Sequence, residues 1–190
     1  MKKQALSLLA IMTISIAFLG CKNKADEAKT TAAEEAATAE VTAVKYMVNT
    51  DDSVIEWKGF KPTGTHNGTI DIESGVITVN DGKIESGSFL IDMNSIVNLD
   101  MEPENEMNAK LVGHLKSADF FDVEKYPNAA FVVTNFEEKD GKTWLSGNLQ
   151  LKEKKNNITF PVTVTTVGDE VTLTSETFTI DRSKWDVKYG

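Results

Sequence analysis

The feature that most constrains this fold is a strict alternation of apolar and other residues in the C-terminal half. Residues 158–165 read Ile-Thr-Phe-Pro-Val-Thr-Val-Thr, and residues 145–151 read Leu-Ser-Gly-Asn-Leu-Gln-Leu. A period of two places alternate side chains on opposite faces of a β-strand. Strands with one apolar and one polar face are typical of antiparallel sheets that are solvated on one side. The alternation therefore predicts an all-β, antiparallel domain.

Turn signals separate the alternating segments, and they lie at Asn80-Asp81-Gly82, Asp140-Gly141 and Gly168-Asp169. One segment, residues 104–116, has a helical spacing of Met107, Leu111 and Leu115 instead. We expect four or five strands, one short helix in a mid-chain connection, and then four more strands. Such a strand order favours a barrel or a sandwich.

The N-terminus has the pattern of an export signal. Two lysines precede an uncharged apolar segment, residues 5–19, which is too short to span a bilayer comfortably. Phe18-Leu19-Gly20-Cys21 resembles a lipobox, and Cys21 is the chain's single cysteine. We predict a lipoprotein signal peptide over residues 1–20 and a lipid anchor on Cys21. The alternatives are an ordinary cleaved signal with an incidental cysteine and a short membrane anchor.

The segment after the cysteine is expected to be a spacer. Residues 22–44 contain eight alanines and no aromatic residue, glycine or proline. Without an apolar stripe, a helix here would have nothing to dock against the domain. We predict a lipidated disordered tether over residues 21–44 and a folded domain over residues 45–190.

Composition excludes several classes of function. The chain has 29 acidic and 20 basic side chains, a net charge of −9, which argues against nucleic-acid binding. A single cysteine excludes an intramolecular disulfide and a thiolate-rich metal site. There are two histidines and no G-x-S-x-G elbow. We therefore predict no enzyme activity, no metal and no cofactor.

A set of motifs in this order resembles the YceI-like family. Residues 114–122 read His-Leu-Lys-Ser-Ala-Asp-Phe-Phe-Asp, followed by Lys125-Tyr126-Pro127 and Phe131. Agreement extends to residues 64–68 (Gly-Thr-His-Asn-Gly), 91–93 (Ile-Asp-Met) and 180–185 (Ile-Asp-Arg-Ser-Lys-Trp). The resemblance covers residues 46–190.

The resemblance implies a lipocalin-like antiparallel β-barrel that is exported and binds a polyisoprenoid or similar amphiphilic lipid in its interior. It implies no catalytic residues. Members of the family usually continue beyond the motif that here ends in Tyr189-Gly190. We therefore expect a C-terminally truncated sequence whose barrel has an open seam or an unpaired edge strand.

The inward stripes supply the candidate ligand-binding residues. An eight-stranded barrel either fills its interior with side chains or holds one small ligand, and alternation alone does not separate the two. The resemblance favours a cavity, since barrel mouths are common ligand sites. The predicted lining is Trp57, Phe89, Ile91, Phe131, Leu149, Leu151, Phe160, Val162 and Phe178. The tryptophans, including Trp144 and Trp185, either line this cavity or plug the barrel ends.

Other polar candidates have structural interpretations. As metal ligands, His66 and His114 would need two further acidic partners, so we expect them to hold local structure by hydrogen bonds. Asp92 is predicted to cap a loop at a strand end rather than to act as a buried acid. Asp119 and Asp122 fit the turn chemistry before Tyr126-Pro127.

The expected function is binding of an isoprenoid or fatty acyl lipid for carriage, storage or sequestration by a membrane-anchored bacterial lipoprotein. We expect the domain to face the periplasm, with the outer membrane favoured and surface exposure left open. The alternatives are a solid-core interaction module of the cell envelope and a lipid-modifying enzyme. No nucleic-acid partner is expected, and the sequence names no protein partner.

Overall fold

A computed structural model describes residues 25–61 and 63–189. The predicted signal peptide over residues 1–20 and the predicted anchor Cys21 lie outside the described residues. The strands are β1 (Lys29–Ala32), β2 (Val44–Met47), β3 (Val54–Lys61), β4 (Gly64–Asn80), β5 (Lys83–Asn98), β6 (Asn128–Lys139), β7 (Lys142–Leu151), β8 (Lys154–Val167) and β9 (Glu170–Ser175). One α-helix, α1 (Glu106–Lys116), connects β5 to β6, and a 3-10 helix spans Arg182–Trp185.

The strands form one antiparallel sheet in the order β1-β8-β7-β6-β5-β4-β2. Strand β4 is long enough to pair with β3 over its first half and with β2 over its second half. On the opposite side, β8 pairs with β1 and then with β9. The predicted all-β, lipocalin-like antiparallel fold with one short helix is confirmed. Within residues 25–61 and 63–189, no pairing joins the β4 side to the β8 side, so the expected open seam is present.

Two tight hairpins fix the register of the central strands. Asp81 and Gly82 join β4 to β5 with φ values of 48° and 76°. Asp140 and Gly141 join β6 to β7 with φ values of 55° and 74°. Two consecutive residues with positive φ make the type I′ turn, whose twist matches that of the flanking strands. The Asp-Gly pairs therefore bring the apolar residues of neighbouring strands onto one face.

Helix α1 begins where its sequence supplies a cap. The Asn105 side chain accepts a hydrogen bond of 2.9 Å from the Met107 backbone N–H. Leu115 is buried and Leu111 packs against the core, as their helical spacing predicted. Among the described residues, no helix is both long enough and apolar enough to cross a membrane.

The prediction of a disordered tether over residues 21–44 is wrong for the part of that segment that is described. Strand β1 pairs with Asn156 to Thr159 of β8, and Ala28 is only 5% exposed. We call residues 25–40 the N-terminal strap. The expectation failed because it required an apolar stripe for docking, whereas the strap docks through its backbone hydrogen bonds. The folded domain thus extends N-terminally beyond residue 45 and includes residues 26–32.

Candidate functional site

Four phenylalanines from different parts of the chain form a row on one face of the sheet. The ring centroids of Phe89 and Phe131 lie 6.3 Å apart, and those of Phe131 and Phe160 lie 5.6 Å apart. Phe178 follows β9 and stacks on Phe160 at 4.3 Å with an interplanar angle of 12°. All four belong to the predicted lining. The row arises because β5, β6 and β8 present their apolar sides to the same space.

A glycine makes room for the centre of this row. A Cβ atom added to Gly147 would lie 2.2 Å from the Phe131 ring, so the ring occupies the space of a side chain on β7. Leu149, two residues further on the same face, pairs directly with Phe131 across the β6–β7 ladder. We call Phe89, Phe131, Leu149, Phe160 and Phe178 the aromatic row. Phe131 and Phe160 are each 8% exposed, whereas the other three members are half-buried.

The remaining predicted lining residues divide into two groups. Ile91, Leu151 and Val162 are buried in the same apolar core as the aromatic row. Trp57 lies in β3, where its indole N–H donates to the Val97 carbonyl at 3.1 Å. In the described part of the chain, no aromatic ring pairs with Trp57, so it stands apart from the row. Trp185, an expected plug, is fully buried and donates to the Leu149 carbonyl at 2.8 Å.

Two open grooves lie next to this core. One has a volume of about 300 Å³ and is lined by Phe89 together with Met47, Val76, Leu90 and Val132, which alternate with the core-facing residues of their strands. The other has a volume of about 470 Å³ and lies between the strap and the β4–β5 hairpin, with Glu40, Asp81 and Glu85 in its wall. Only the first groove combines an apolar wall with the predicted lining. Since most of its wall belongs to the face opposite to Phe131, this groove is not by itself an entrance to the aromatic row.

Of the histidines and aspartates that the sequence singled out, His66 and Asp92 hold local structure by hydrogen bonds. The His66 Nδ1 lies 2.9 Å from an Asp100 carboxylate oxygen. The Asn67 backbone N–H, which donates to Asp100, lowers the pKa of that carboxyl. Asp92 accepts from the Asn94 backbone N–H at 2.8 Å inside β5. Among the described residues, no group of three or more His, Cys, Asp or Glu side chains could hold a metal ion.

The second histidine lies in the last turn of α1 and faces the loop that follows. The His114 ring meets the Tyr189 ring edge-on at 4.2 Å, and its Nε2 is buried without a hydrogen-bond partner. The backbone of Asp122 is left-handed, with a φ of 53°, and its carbonyl accepts from the Tyr126 N–H at 2.8 Å. The turn role predicted for Asp122 agrees with this geometry, whereas no side-chain hydrogen bond is found for Asp119.

The loop is tied to the β7–β8 hairpin by an exposed polar group. Both the Tyr126 hydroxyl and the Lys125 ammonium donate to the same Glu153 carboxylate oxygen, the latter at 3.2 Å. The hydrogen bond from Tyr126 lowers the pKa of Glu153, and the Lys125 charge acts in the same direction. Because neighbouring groups satisfy this carboxylate, it supports the loop rather than presenting a free acid.

Sequence reasoning missed a polar set on the opposite face of the sheet. Asn148 and Asn157 are 6% and 2% exposed, and the Asn157 Nδ2 donates to the Asn148 Oδ1 at 3.2 Å. The alternation assigned this face to solvent, and the strap covers it instead. Gln150, on the same face, is half-buried and donates to the Lys152 carbonyl. Only the unusual density of asparagines on these two strands hinted at a structural role.

An antiparallel sheet with an aromatic apolar face and one short helix is typical of a lipocalin-like protein. Residues 46–190 match the model of the YceI-like domain, and the chain therefore belongs to the YceI-like family. Proteins of this family bind polyisoprenoid-type lipids in a β-barrel.

Comparison with known proteins finds relatives in several bacteria. A UPF0312 protein of Shewanella denitrificans is 35% identical over 94 residues, which cover 48% of this chain and 41% of that protein. BcnA of Burkholderia cenocepacia has a TM-score of 0.45 at 24% identity, covering 73% of this chain and 71% of its own. The Campylobacter jejuni YCEI protein has a TM-score of 0.45 at 15% identity, covering 94% and 85%. The chain thus spans about two fifths of the length of the curated relative.

Proposed function

We propose that this protein binds an isoprenoid or fatty acyl chain along the aromatic row and carries, stores or sequesters that lipid at the cell envelope. The observation that supports this proposal is the row itself. Large apolar side chains from four strands and the segment after β9 converge on one face, and three of the five are only half-buried.

The energetics favour an apolar tail as the ligand's main contact. Burying a methylene contributes about 0.8 kcal/mol, so one isoprene unit contributes about 3–4 kcal/mol before costs. Immobilising the ligand costs several kcal/mol, which requires two or three buried units for useful affinity. A single exposed ion pair with a headgroup adds only about 0–1 kcal/mol. Binding should therefore depend on the tail more than on headgroup charge.

One observation favours a second candidate, a solid-core interaction module. The ring of Phe131 fills the space beside Gly147, and Val133 and Trp185 are completely buried. Neither groove described above is enclosed. In this alternative the row would be a packed core with no ligand. Lipid binding by the folded domain separates the two candidates.

The proposal includes export and anchoring through Cys21, with the domain facing the periplasm and the outer membrane as its site. The uncharged segment over residues 5–19 and the single cysteine that follows it support this part. Two or more acyl chains make such anchoring stable. The mature wild-type protein should carry acyl groups by intact mass, and Cys21→Ser should lose them. A wild-type protein without acyl groups would contradict the anchor.

The test of lipid binding uses a matched pair of carboxylates. Leu149→Glu places an unpaired charge in the aromatic row, which should abolish co-purification of lipid. Thr163→Glu places the same group on the exposed side of β8 and should bind as wild type. Mass spectrometry of organic extracts measures the lipid, and circular dichroism must show native strand content in both variants. A folded wild-type domain that yields no lipid and binds no added prenyl chain would favour the solid-core module.

A further inference from the structure

The beginning of the strap is fixed to the C-terminal part of the chain. The Thr179 N–H donates to the Asp26 carbonyl at 3.0 Å, and the Ala28 N–H donates to the Thr179 carbonyl at 2.8 Å. Glu27 forms an ion pair with Lys184 at 3.3 Å. Ala28 is buried, and Lys29 to Ala32 pair with β8. The docked part of the chain thus begins within a few residues of Cys21.

The strap then crosses the polar face of β8, β7 and β6. The Asn148 side chain accepts from the Glu34 N–H at 2.9 Å and donates to the Glu34 carbonyl at 2.7 Å. Further along, the Ala37 N–H donates to the Val133 carbonyl at 2.9 Å. An amide side chain that pairs with both backbone groups of one residue acts as a substitute for a neighbouring strand. Strap docking is therefore specific, since it depends on buried polar groups that would otherwise lack partners.

A charged surface surrounds the point where the described chain begins. Lys154 and Lys188 both contact the Asp186 carboxylate, at 3.2 and 2.8 Å. The Lys184 carbonyl accepts from Asn156 of β8 and so joins this group to the sheet edge. We call the following set the anchor edge: Asp26, Glu27, Lys29, Lys154, Lys155, Asp181, Arg182, Lys184, Asp186 and Lys188. Six of these are basic and four are acidic, a net of +2 in a chain whose net charge is −9.

Chain length limits the distance between this surface and a lipid anchor. Ala25 follows Cys21 by four residue steps, and an extended chain spans at most about 3.6 Å per step. The anchor therefore lies within about 14 Å of the start of the strap. A flexible tether over residues 21–44 would instead give a root-mean-square separation of roughly 27 Å. The docked strap shortens the connection about twofold.

We propose that the docked strap holds the domain against the anionic lipid surface, with the anchor edge facing the membrane. This inference rests on the proposed acylation of Cys21. The short chain between Cys21 and the strap limits the distance between the domain and the membrane. The positive anchor edge orients the domain against anionic phospholipid headgroups. The acidic remainder of the chain is repelled by the same surface.

The test uses the full acylated protein on vesicles made of phosphatidylcholine with one quarter phosphatidylglycerol. Because acylation occupies Cys21, a single introduced cysteine accepts a donor dye specifically. The dye is placed at Lys155→Cys on the anchor edge or at Lys83→Cys in β5, three strands from β8 in the sheet order. Energy transfer to an acceptor-labelled lipid reports the proximity of each site to the membrane.

Two variants test whether the docked strap, and not the lipid anchor alone, holds the domain close to the membrane. A twelve-residue Gly-Ser insertion after Lys24 leaves every strap contact intact and adds roughly 20 Å of root-mean-square reach. Asn148→Ala removes both hydrogen bonds to Glu34, and circular dichroism checks that this variant folds. We expect more transfer at position 155 than at position 83 in the wild type. The ratio should fall toward one in the insertion variant and should decrease in vesicles without phosphatidylglycerol. It should stay near the wild-type value in Asn148→Ala, because Thr179 and the β1–β8 pairing still hold the strap start.

Each negative result would contradict a different part of the proposal: the docked strap, the anchor edge or the lipid anchor. Equal transfer at the two positions in an acylated wild-type protein would overturn this inference and leave the lipid-binding proposal intact. A ratio unchanged by the insertion would also overturn it, since the short reach would then have no effect. A ratio that does not depend on phosphatidylglycerol would contradict the role of the anchor edge. Absence of acyl mass on the mature protein would instead contradict the proposed anchor.

Discussion

At the scale of single residues, Gly147 and Phe131 show how the sheet accommodates an aromatic row. The alternation over residues 145–151 predicted that Gly147 and Leu149 share a face, and their pairing with β6 agrees. The sequence did not predict which ring would cover the glycine, because alternation specifies a face and not the neighbouring strand. Likewise, the alternation predicts that Asn148 and Asn157 face solvent. Their own strands contain no signal that the distant strap covers them.

Gly147→Ala should disturb the centre of the aromatic row. The new Cβ would lie 2.2 Å from the Phe131 ring, so the ring must shift, and overpacking of this kind costs about 1–3 kcal/mol. Gly113→Ala is the matched control, since no atom lies within 4 Å of the added Cβ in α1. This control should stabilise the protein by about 0.5–1 kcal/mol through helix propensity. Urea unfolding measures both, and equal effects of the two substitutions would contradict the packing described.

Tyr126→Phe should raise the pKa of Glu153 toward its ordinary value of 4.5, because the tyrosine hydroxyl is the main group that lowers it. A carboxyl with a lowered pKa stabilises the fold above its unfolded pKa, and this contribution is lost as pH falls through the folded value. The small stability difference between wild type and variant should therefore be present at neutral pH and shrink in acid. An NMR titration of the Glu153 carboxyl carbon measures the shift, and an unchanged pKa would rule out this hydrogen bond.

At the scale of elements, local sequence signals were sufficient to predict those helices and hairpins that contain their own cap or turn residues. The Asp-Gly pairs at residues 81–82 and 140–141 specify tight hairpins, and the spacing of Met107, Leu111 and Leu115 specifies α1. The strap was not predictable in this way. Its partners are the edge of β8 and the Asn148 side chain, which is more than a hundred residues away in sequence.

Asn105→Ala should destabilise the domain by about 1 kcal/mol, because the Met107 N–H would lose its capping acceptor. Asn105→Asp retains a capping oxygen and adds a negative charge at the helix N-terminus, so it should be close to wild type. Thermal unfolding followed by circular dichroism compares the two variants. A loss of stability that is the same for alanine and aspartate would show that the cap does not stabilise α1.

At the scale of the whole molecule, the class of fold and the apolar face followed from the alternation, and the open seam was expected from the family resemblance, whereas the pairing at the two sheet edges was not predicted. Period-two alternation shows which side chains face the core but not how the first and last strands meet. Both edges of this sheet are composite, with β2 and β3 sharing β4 while β1 and β9 share β8. That arrangement depends on the lengths of β4 and β8. It also places the strap start beside the C-terminal segment through the Glu27–Thr179 bridge.

The central claim is that the aromatic row binds an apolar tail, and the most direct test is a titration of the folded domain with prenyl alcohols of two, three and four isoprene units. We predict that Kd falls at least about tenfold with each unit, which corresponds to about 1.4 kcal/mol and is within what tail burial supplies. Replacing the alcohol by a phosphate should change Kd by less than about tenfold. No binding at micromolar concentration, or an affinity that does not depend on chain length, would contradict the claim.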